Sequence, residues 1–202
     1  MLKDAIQKGV YLQGLAALLN SGRPGFIGSW SEGTGDAGTG SQDLASRARR
    51  ALSTPKLLTF YPDGQGQHPV AVLPYRQAMT SHMPMNGHEA ISGEFTGCVM
   101  GVYQEDGRVE VNHVCTAQPA GPGTPLQAWD DTVGNPPPGF QLLNQDRTAG
   151  GVPAYLSNAT NDRLRKYNGQ FCILCIADPV SYAIKRAYVG KRNGVYKVLD
   201  IG

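Results

Sequence analysis

The sequence predicts an α+β fold with a mostly antiparallel β-sandwich core flanked by helices. Strand-like runs occur in pairs around short turns, and apolar residues recur at helical spacing towards both ends of the chain. Glycine and proline, with 26 and 14 copies in 202 residues, indicate many turns and long loops. Paired strands with helices at both ends are typical of an antiparallel sheet. A chain of this length can bury one substantial core, so we predict a single domain over 1–202.

The N-terminal part, 2–52, is predicted to form helices. An apolar stripe at helical spacing runs through 2–20, made of Leu2, Ile6, Val10, Leu12, Leu15, Leu18 and Leu19. A second helix is predicted over 41–52, with Ser41 as its N-cap. The glycine-rich segment 30–41 between them lacks the lysine-containing pattern of a phosphate-binding loop, so we expect a mobile loop there.

The remainder, 56–202, is predicted to form the β-rich core. Its β-prone runs predict strands over 56–61, 69–75, 171–177, 187–191 and 195–201. We expect 76–89 to be irregular, and 118–153 to be a long loop with a short strand at 140–143. A helix is predicted over 157–167.

Composition narrows the function classes. A net charge of +2 is too small to predict a nucleic-acid surface. No run of about 18 apolar residues is present, so no membrane span is expected. The charged N-terminus is unlike a signal peptide, and we expect a protein made in the cytoplasm. The four cysteines, Cys98, Cys115, Cys172 and Cys175, are too few for a disulfide scaffold.

A β-hairpin is predicted over 92–116, and it contains the candidate functional residues. Two strongly β-prone runs flank Asp106-Gly107, and an Asp-Gly pair between such runs indicates a tight turn. A two-residue turn, or a four-residue loop, opposes Cys98 to Cys115 and Met100 to His113. Side chains on one face of a strand alternate by two. Cys98 and His113 then share the apolar face of the hairpin as diagonal neighbours, roughly 7 Å apart at the backbone.

A cysteine nucleophile needs a base that accepts the thiol proton. Cys98 is the candidate nucleophile and His113 the candidate base. Gly97, directly before the cysteine, lets a substrate approach closely or leaves backbone N–H groups for an oxyanion. A three-residue loop would place the pair on opposite faces. The opposed Cys98 and Cys115 are also candidates for a cross-strand disulfide.

The segment Thr96-Gly97-Cys98-Val99, with a histidine fifteen positions after the cysteine, resembles a family of glutamine deamidases. These include cytotoxic necrotizing factor, Burkholderia lethal factor and the chemotaxis deamidase CheD. The resemblance covers 92–116 and implies a β-sandwich flanked by helices, a protein substrate and no cofactor or metal. It also implies a bacterial effector or toxin that acts inside another cell.

By this resemblance, Cys98 attacks the carboxamide carbon of a protein glutamine and His113 passes the thiol proton to departing ammonia. Water then hydrolyses the thioester. Some members carry a threonine six residues before the cysteine as a third element. The equivalent residue here is Ser92, and Thr96 is an alternative. The family's Leu-Ser-Gly-Cys is Phe-Thr-Gly-Cys here.

Other functions stay open from the sequence. A cysteine protease, amidase or transglutaminase would use the same dyad, with a carboxylate from Asp130, Asp131 or Asp178. A zinc deaminase is disfavoured because His88 and Glu89 are adjacent and Cys172 and Cys175 fall on opposite faces of a strand. A binding module of another class, with β-rich structure and an inert Cys98, is the non-enzymatic alternative.

Overall fold

The computed structural model of the chain describes residues 2–7, 11–13, 19–20, 29–30, 38–40, 57–62, 68–73, 79–93, 95, 97–116, 123–148, 171–192 and 195–202. These residues form two helices, α1 (Leu2–Ala5) and α2 (Pro125–Gly134). Neither has the length or apolar character that a membrane-spanning helix requires. The strands are β1 (Tyr11–Gln13), β2 (Leu19–Asn20), β3 (Ser29–Trp30), β4 (Gly38–Gly40), β5 (Leu57–Pro62), β6 (His68–Val72), β7 (Thr80–Pro84), β8 (Ala90–Gly93), β9 (Val99–Glu105), β10 (Arg108–Val114), β11 (Phe140–Arg147), β12 (Phe171–Ala177), β13 (Ile184–Arg192) and β14 (Val195–Ile201).

Most strands belong to two larger sheets. The barrel sheet has the order β1-β14-β13-β12-β8-β6-β5 and closes on itself, and the hairpin sheet has the order β11-β9-β10-β7-β4. Strands β2 and β3 pair separately. Every described pairing is antiparallel except that of β6 with β8. The molecule is therefore mostly antiparallel β-structure with a minor helical part, the β-rich α+β class that the sequence predicts.

The larger apolar cluster contains side chains from both sheets. The barrel sheet contributes Ala71, Cys175 and Tyr188, and the hairpin sheet contributes Met83, Met100 and Val111. A second cluster lies on the other face of the hairpin sheet, under α2, and contains Val99, Tyr103, Val114, Trp129 and Phe140. The hairpin sheet is thus covered on both faces where these clusters lie.

Polar contacts also join the elements. The Arg186 guanidinium on β13 forms a bidentate ion pair with Asp146 on β11. Lys3 on α1 pairs with Asp178, with 2.6 Å between Nζ and Oδ2. Burial opposes the negative charge of Asp178, but the Lys3 hydrogen bond and nearby backbone N–H groups outweigh it, and the pKa of this carboxyl lies below its ordinary range.

The helix predicted over 2–20 is present only at Leu2–Ala5, and the prediction is wrong at 11–13 and 19–20, where the structure has strands. Helix α1 ends at Ala5, and β1 to β4 follow. The Lys185 ammonium donates to the carbonyl oxygens of Lys3 and Ile6, at 2.5 and 2.7 Å. In a longer helix these carbonyl oxygens would accept from backbone N–H groups of the next turn. Strand β1 then pairs with both β14 and β5. These long-range pairings outweigh the weak helical preference of the sequence.

The segment 118–153 is not one long loop, because it contains α2 and β11. The Thr124 hydroxyl caps α2 by accepting from the Gln127 amide at 3.3 Å, and Pro125 begins the helix. A threonine cap followed by proline is a sequence signal for a helix start. Likewise, 76–89 includes β7, which pairs with β10 and β4.

The remaining strand predictions are confirmed. The structure contains β5 and β6 near 56–61 and 69–75, β12 over the predicted 171–177, and the β13–β14 pair near the C-terminus. The strand predicted at 140–143 is present and extends to Arg147. The helices predicted over 41–52 and 157–167 lie outside the described residues.

Candidate active site

The hairpin has the register that the catalytic prediction requires. Asp106 and Gly107 form a two-residue turn with φ values of 50° and 79°. Arg108 pairs with Glu105, and His113 pairs with Met100. The expected register is confirmed, and Cys98 and His113 fall on the same face of the hairpin.

The partner of His113 comes from the other sheet. Ser92, on β8 of the barrel sheet, has its Oγ 2.8 Å from His113 Nδ1. The same hydroxyl lies 2.8 Å from the carbonyl oxygen of Leu73, which can only accept. Ser92 therefore donates its single proton to Leu73 and accepts from the Nδ1–H of His113. This network assigns the proton of the neutral ring to Nδ1 and the lone pair to Nε2.

His113 lies in apolar surroundings. Its ring stacks on Phe95, with ring centroids 4.0 Å apart and an interplanar angle of 12°. The side chain is 1% exposed. Burial disfavours the charged imidazolium and lowers the pKa of His113 to about 3. The resting imidazole is therefore neutral, which a proton acceptor must be.

Cys98 is also neutral at rest. The hydrogen bond with the Cys115 thiol, followed by burial, raises the pKa of Cys98 well above its ordinary value. The backbone N–H of Thr116 and its hydroxyl act in the opposite direction, because they stabilise the thiolate. Neither a stable thiolate nor an imidazolium is present, so the nucleophile would have to form as the thiol proton leaves.

Thr148 fixes the backbone on which the cysteine sits. Its Oγ1 accepts from the Gly97 amide at 3.1 Å and donates to the Cys98 carbonyl oxygen at 2.8 Å. Its own amide donates to the same carbonyl oxygen at 3.1 Å. The Gly97 N–H is thus engaged with Thr148 and is not itself available to an oxyanion. Thr148 is fifty positions from Cys98, and no local sequence signal links the two.

Gly97 still needs to be glycine. Its φ is +141°, which side-chain-bearing residues rarely adopt. A Cβ at this position would lie 3.3 Å from Thr116 Oγ1. The residue therefore permits the close approach of the backbone to Thr116, the residue whose amide and hydroxyl reach the sulfur.

Of the two hydroxyls proposed as the third element, only Ser92 can be placed. Thr96 lies outside the described residues. A further hydroxyl, Ser81, was missed by sequence reasoning. Ser81 pairs with His113 across β7 and β10, is fully buried, and its Oγ has no hydrogen-bond partner in the described part of the chain. Buried polar groups of this kind are costly and are often found at functional sites.

A second polar cluster lies on the opposite face of the hairpin sheet. His82 Nδ1 and the Tyr103 hydroxyl are each 3.0 Å from Glu110 Oε2. Trp129 and Asn112 lie on the same face. This cluster contains no serine or cysteine nucleophile among its named members, and it is separated from Cys98 by the sheet.

Within the described residues, no three His, Cys, Asp or Glu side chains are grouped so that they could hold a metal ion. Cys175 is buried in the barrel sheet opposite Ser92. The side chain of Cys172 lies outside the described part.

Comparisons of the chain with family models, with curated protein sequences and with solved structures returned no match.

Proposed function

We propose that this chain is a cysteine hydrolase that deamidates glutamine side chains of a target protein. The observation that carries the proposal is the hydrogen bond between Ser92 and His113. Because the Ser92 proton goes to Leu73, this bond leaves the His113 lone pair on Nε2, on the hairpin face that also carries Cys98. An orienting hydroxyl, a histidine and a cysteine correspond to the three elements of the deamidases that the segment resembles.

In the proposed reaction, Cys98 Sγ attacks the carboxamide carbon while His113 Nε2 takes the thiol proton. The proton passes to the departing ammonia, and a thioester remains. Water then attacks the thioester, returns the proton to sulfur and releases glutamate. Ser92 and Thr116 have supporting roles: Ser92 orients the ring, and the amide and hydroxyl of Thr116 stabilise charge on the sulfur.

The neutral resting pair makes attack and proton transfer concerted, since a separated ion pair is unfavourable in this apolar site. A bound carboxamide would replace part of the apolar surroundings. We expect this to move the pKa values of Cys98 and His113 towards their ordinary range.

We also propose that the two large sheets face one another as a β-sandwich, with the site between them. Side chains from both sheets share one apolar cluster, and the Ser92–His113 and Arg186–Asp146 contacts join β8 to β10 and β13 to β11. This arrangement agrees with the fold that the resemblance implies.

Deamidation can be tested in ¹⁸O water by mass spectrometry of a cell lysate incubated with the purified chain. Wild type should raise the mass of specific glutamine-containing peptides by about 3 Da, against about 1 Da in ordinary water, because thioester hydrolysis adds one solvent oxygen. Cys98→Ala should abolish the change, whereas Cys175→Ala, a matched loss of a buried cysteine, should retain it. Backbone cleavage or cross-linking dependent on Cys98 would assign a protease or transglutaminase instead. Labelling that survives Cys98→Ala would overturn the proposal.

A further inference from the structure

Cys98 and Cys115 face one another at the open end of the hairpin. The paired ladder ends with Val114 opposite Val99, so the next pair along the same register is Cys115 opposite Cys98. Both are buried thiols that form no disulfide, and they are joined by a thiol–thiol hydrogen bond.

Their backbone groups make hydrogen bonds elsewhere. The Cys115 amide donates to the Met79 carbonyl oxygen at 3.2 Å, and the Cys98 carbonyl oxygen accepts from the Thr148 amide at 3.1 Å. The two cysteines are thus a non-hydrogen-bonded pair of the ladder, in which Cα atoms lie about 4.5 Å apart and side chains approach closely. This separation is within the range of about 4.4–6.8 Å that disulfides use. A bond between the sulfurs needs no rearrangement of the strands.

We propose that Cys98 and Cys115 form a peroxide-reactive dithiol site that closes to a cross-strand disulfide. Sulfur of Cys98 attacks one oxygen of a hydroperoxide, the O–O bond breaks, and a sulfenic acid and one water (or alcohol) form. Sulfur of Cys115 then attacks Cys98, the S–O bond breaks, and a second water leaves with the remaining proton. The two thiols together lose two protons and two electrons, and the peroxide gains them.

Cys98 is the sulfur that attacks the peroxide, because the amide and hydroxyl of Thr116 hydrogen-bond to it and stabilise its thiolate. The disulfide would withdraw Cys98 from reaction with a carboxamide. That consequence rests on the proposed function, whereas formation of the disulfide does not. Cys175 offers an internal comparison, because it is buried but opposes Ser92 and not another cysteine.

The test treats the purified full chain with hydrogen peroxide, alkylates it under denaturing conditions and maps its peptides by mass spectrometry. We expect the alkylatable thiols to fall from the four of the reduced chain by the loss of Cys98 and Cys115, with a peptide linking the two that dithiothreitol releases. Cys115→Ser should abolish the link and leave a dimedone-trappable sulfenic acid at Cys98. Cys175→Ser should leave the link unchanged.

Peroxide treatment that leaves all four thiols alkylatable, or that links a different pair, would overturn the proposal. Glutamine deamidation, measured on the same samples, should be lost on oxidation and regained on reduction. Full activity in the disulfide form would refute the proposed inhibition. A disulfide in a chain without any deamidating activity would refute the proposed function and leave the dithiol site standing.

Discussion

Ser92 has one hydroxyl proton, and it donates this proton in a hydrogen bond to the carbonyl oxygen of Leu73. That small asymmetry decides which nitrogen of His113 can accept a proton. A serine in a different environment could donate to the ring instead, and the basic nitrogen would then be Nδ1. The proposed role of His113 as a base therefore depends on the backbone carbonyl of Leu73.

Replacement of Ser92 by alanine should remove the preference of the His113 ring for the tautomer protonated on Nδ1. In ¹⁵N spectra of wild type at neutral pH, we expect the His113 ring to carry its proton on Nδ1 and to leave Nε2 unprotonated. Ser92→Ala should give a mixture of tautomers and lower the rate of the proposed deamidation by about 10- to 100-fold, the size of effect that loss of a group orienting a histidine can have. Ser181→Ala, in the exposed turn after β12, is the control and should resemble wild type. A wild-type ring protonated on Nε2 would contradict the assignment.

At the scale of elements, the hairpin sheet depends on a close contact between α2 and β9. A Cβ added to Gly101 would lie 2.6 Å from both Trp129 Cζ2 and Asn112 Oδ1. The indole lies over the strand at this point, and its Nε1 donates to Gln145 at 3.0 Å. Glycine is thus required for packing of the helix, not for a turn.

Gly101→Ala should lower the free energy of unfolding by about 1–3 kcal/mol, because overpacking forces Trp129 to move. Gly134→Ala, near the end of α2, meets nothing within 4 Å and should be neutral or slightly stabilising. Urea denaturation monitored by tryptophan fluorescence measures both. Equal effects of the two substitutions would show that the close contact has no energetic role.

On the scale of the whole molecule, folding buries a histidine that is ordinarily protonated in mild acid. The pKa of His113 falls from 6.5 to about 3 on burial. Between these values the unfolded chain binds a proton that the folded chain does not, so stability falls as the pH falls. The loss from this one group is about 1.4 kcal/mol per pH unit at most.

The free energy of unfolding, measured in urea from pH 7 to pH 4, should therefore decrease more steeply for wild type than for His113→Gln. The variant lacks the titrating ring but keeps a polar side chain near Ser92. Gly134→Ala, which removes no titratable group and adds a Cβ with nothing within 4 Å, should keep the wild-type slope. Parallel slopes for wild type and His113→Gln would exclude burial of a neutral His113 as a source of acid sensitivity.

From the sequence alone, the hairpin can be predicted, and a two-residue turn within it places Cys98 and His113 on one face. These follow from local geometry, because the backbone angles of Asp106 and Gly107 fix the register of the strands they join. The sequence also predicted the apolar strand β12 and a β-rich fold. The start of α2 was missed, although Thr124-Pro125 is a sequence signal for a helix start.

The side chains that contact the hairpin from elsewhere in the chain could not be predicted from the sequence. Ser92 reaches His113 from another sheet, Thr148 reaches Gly97 and Cys98 from the end of β11, and β1 replaces a predicted helix. Each of these contacts joins residues that are distant in the chain, and each forms only after the intervening chain has closed. Intrinsic helix preferences differ by only about a fraction of a kcal/mol per residue. Contacts between distant parts of the chain therefore outweigh them.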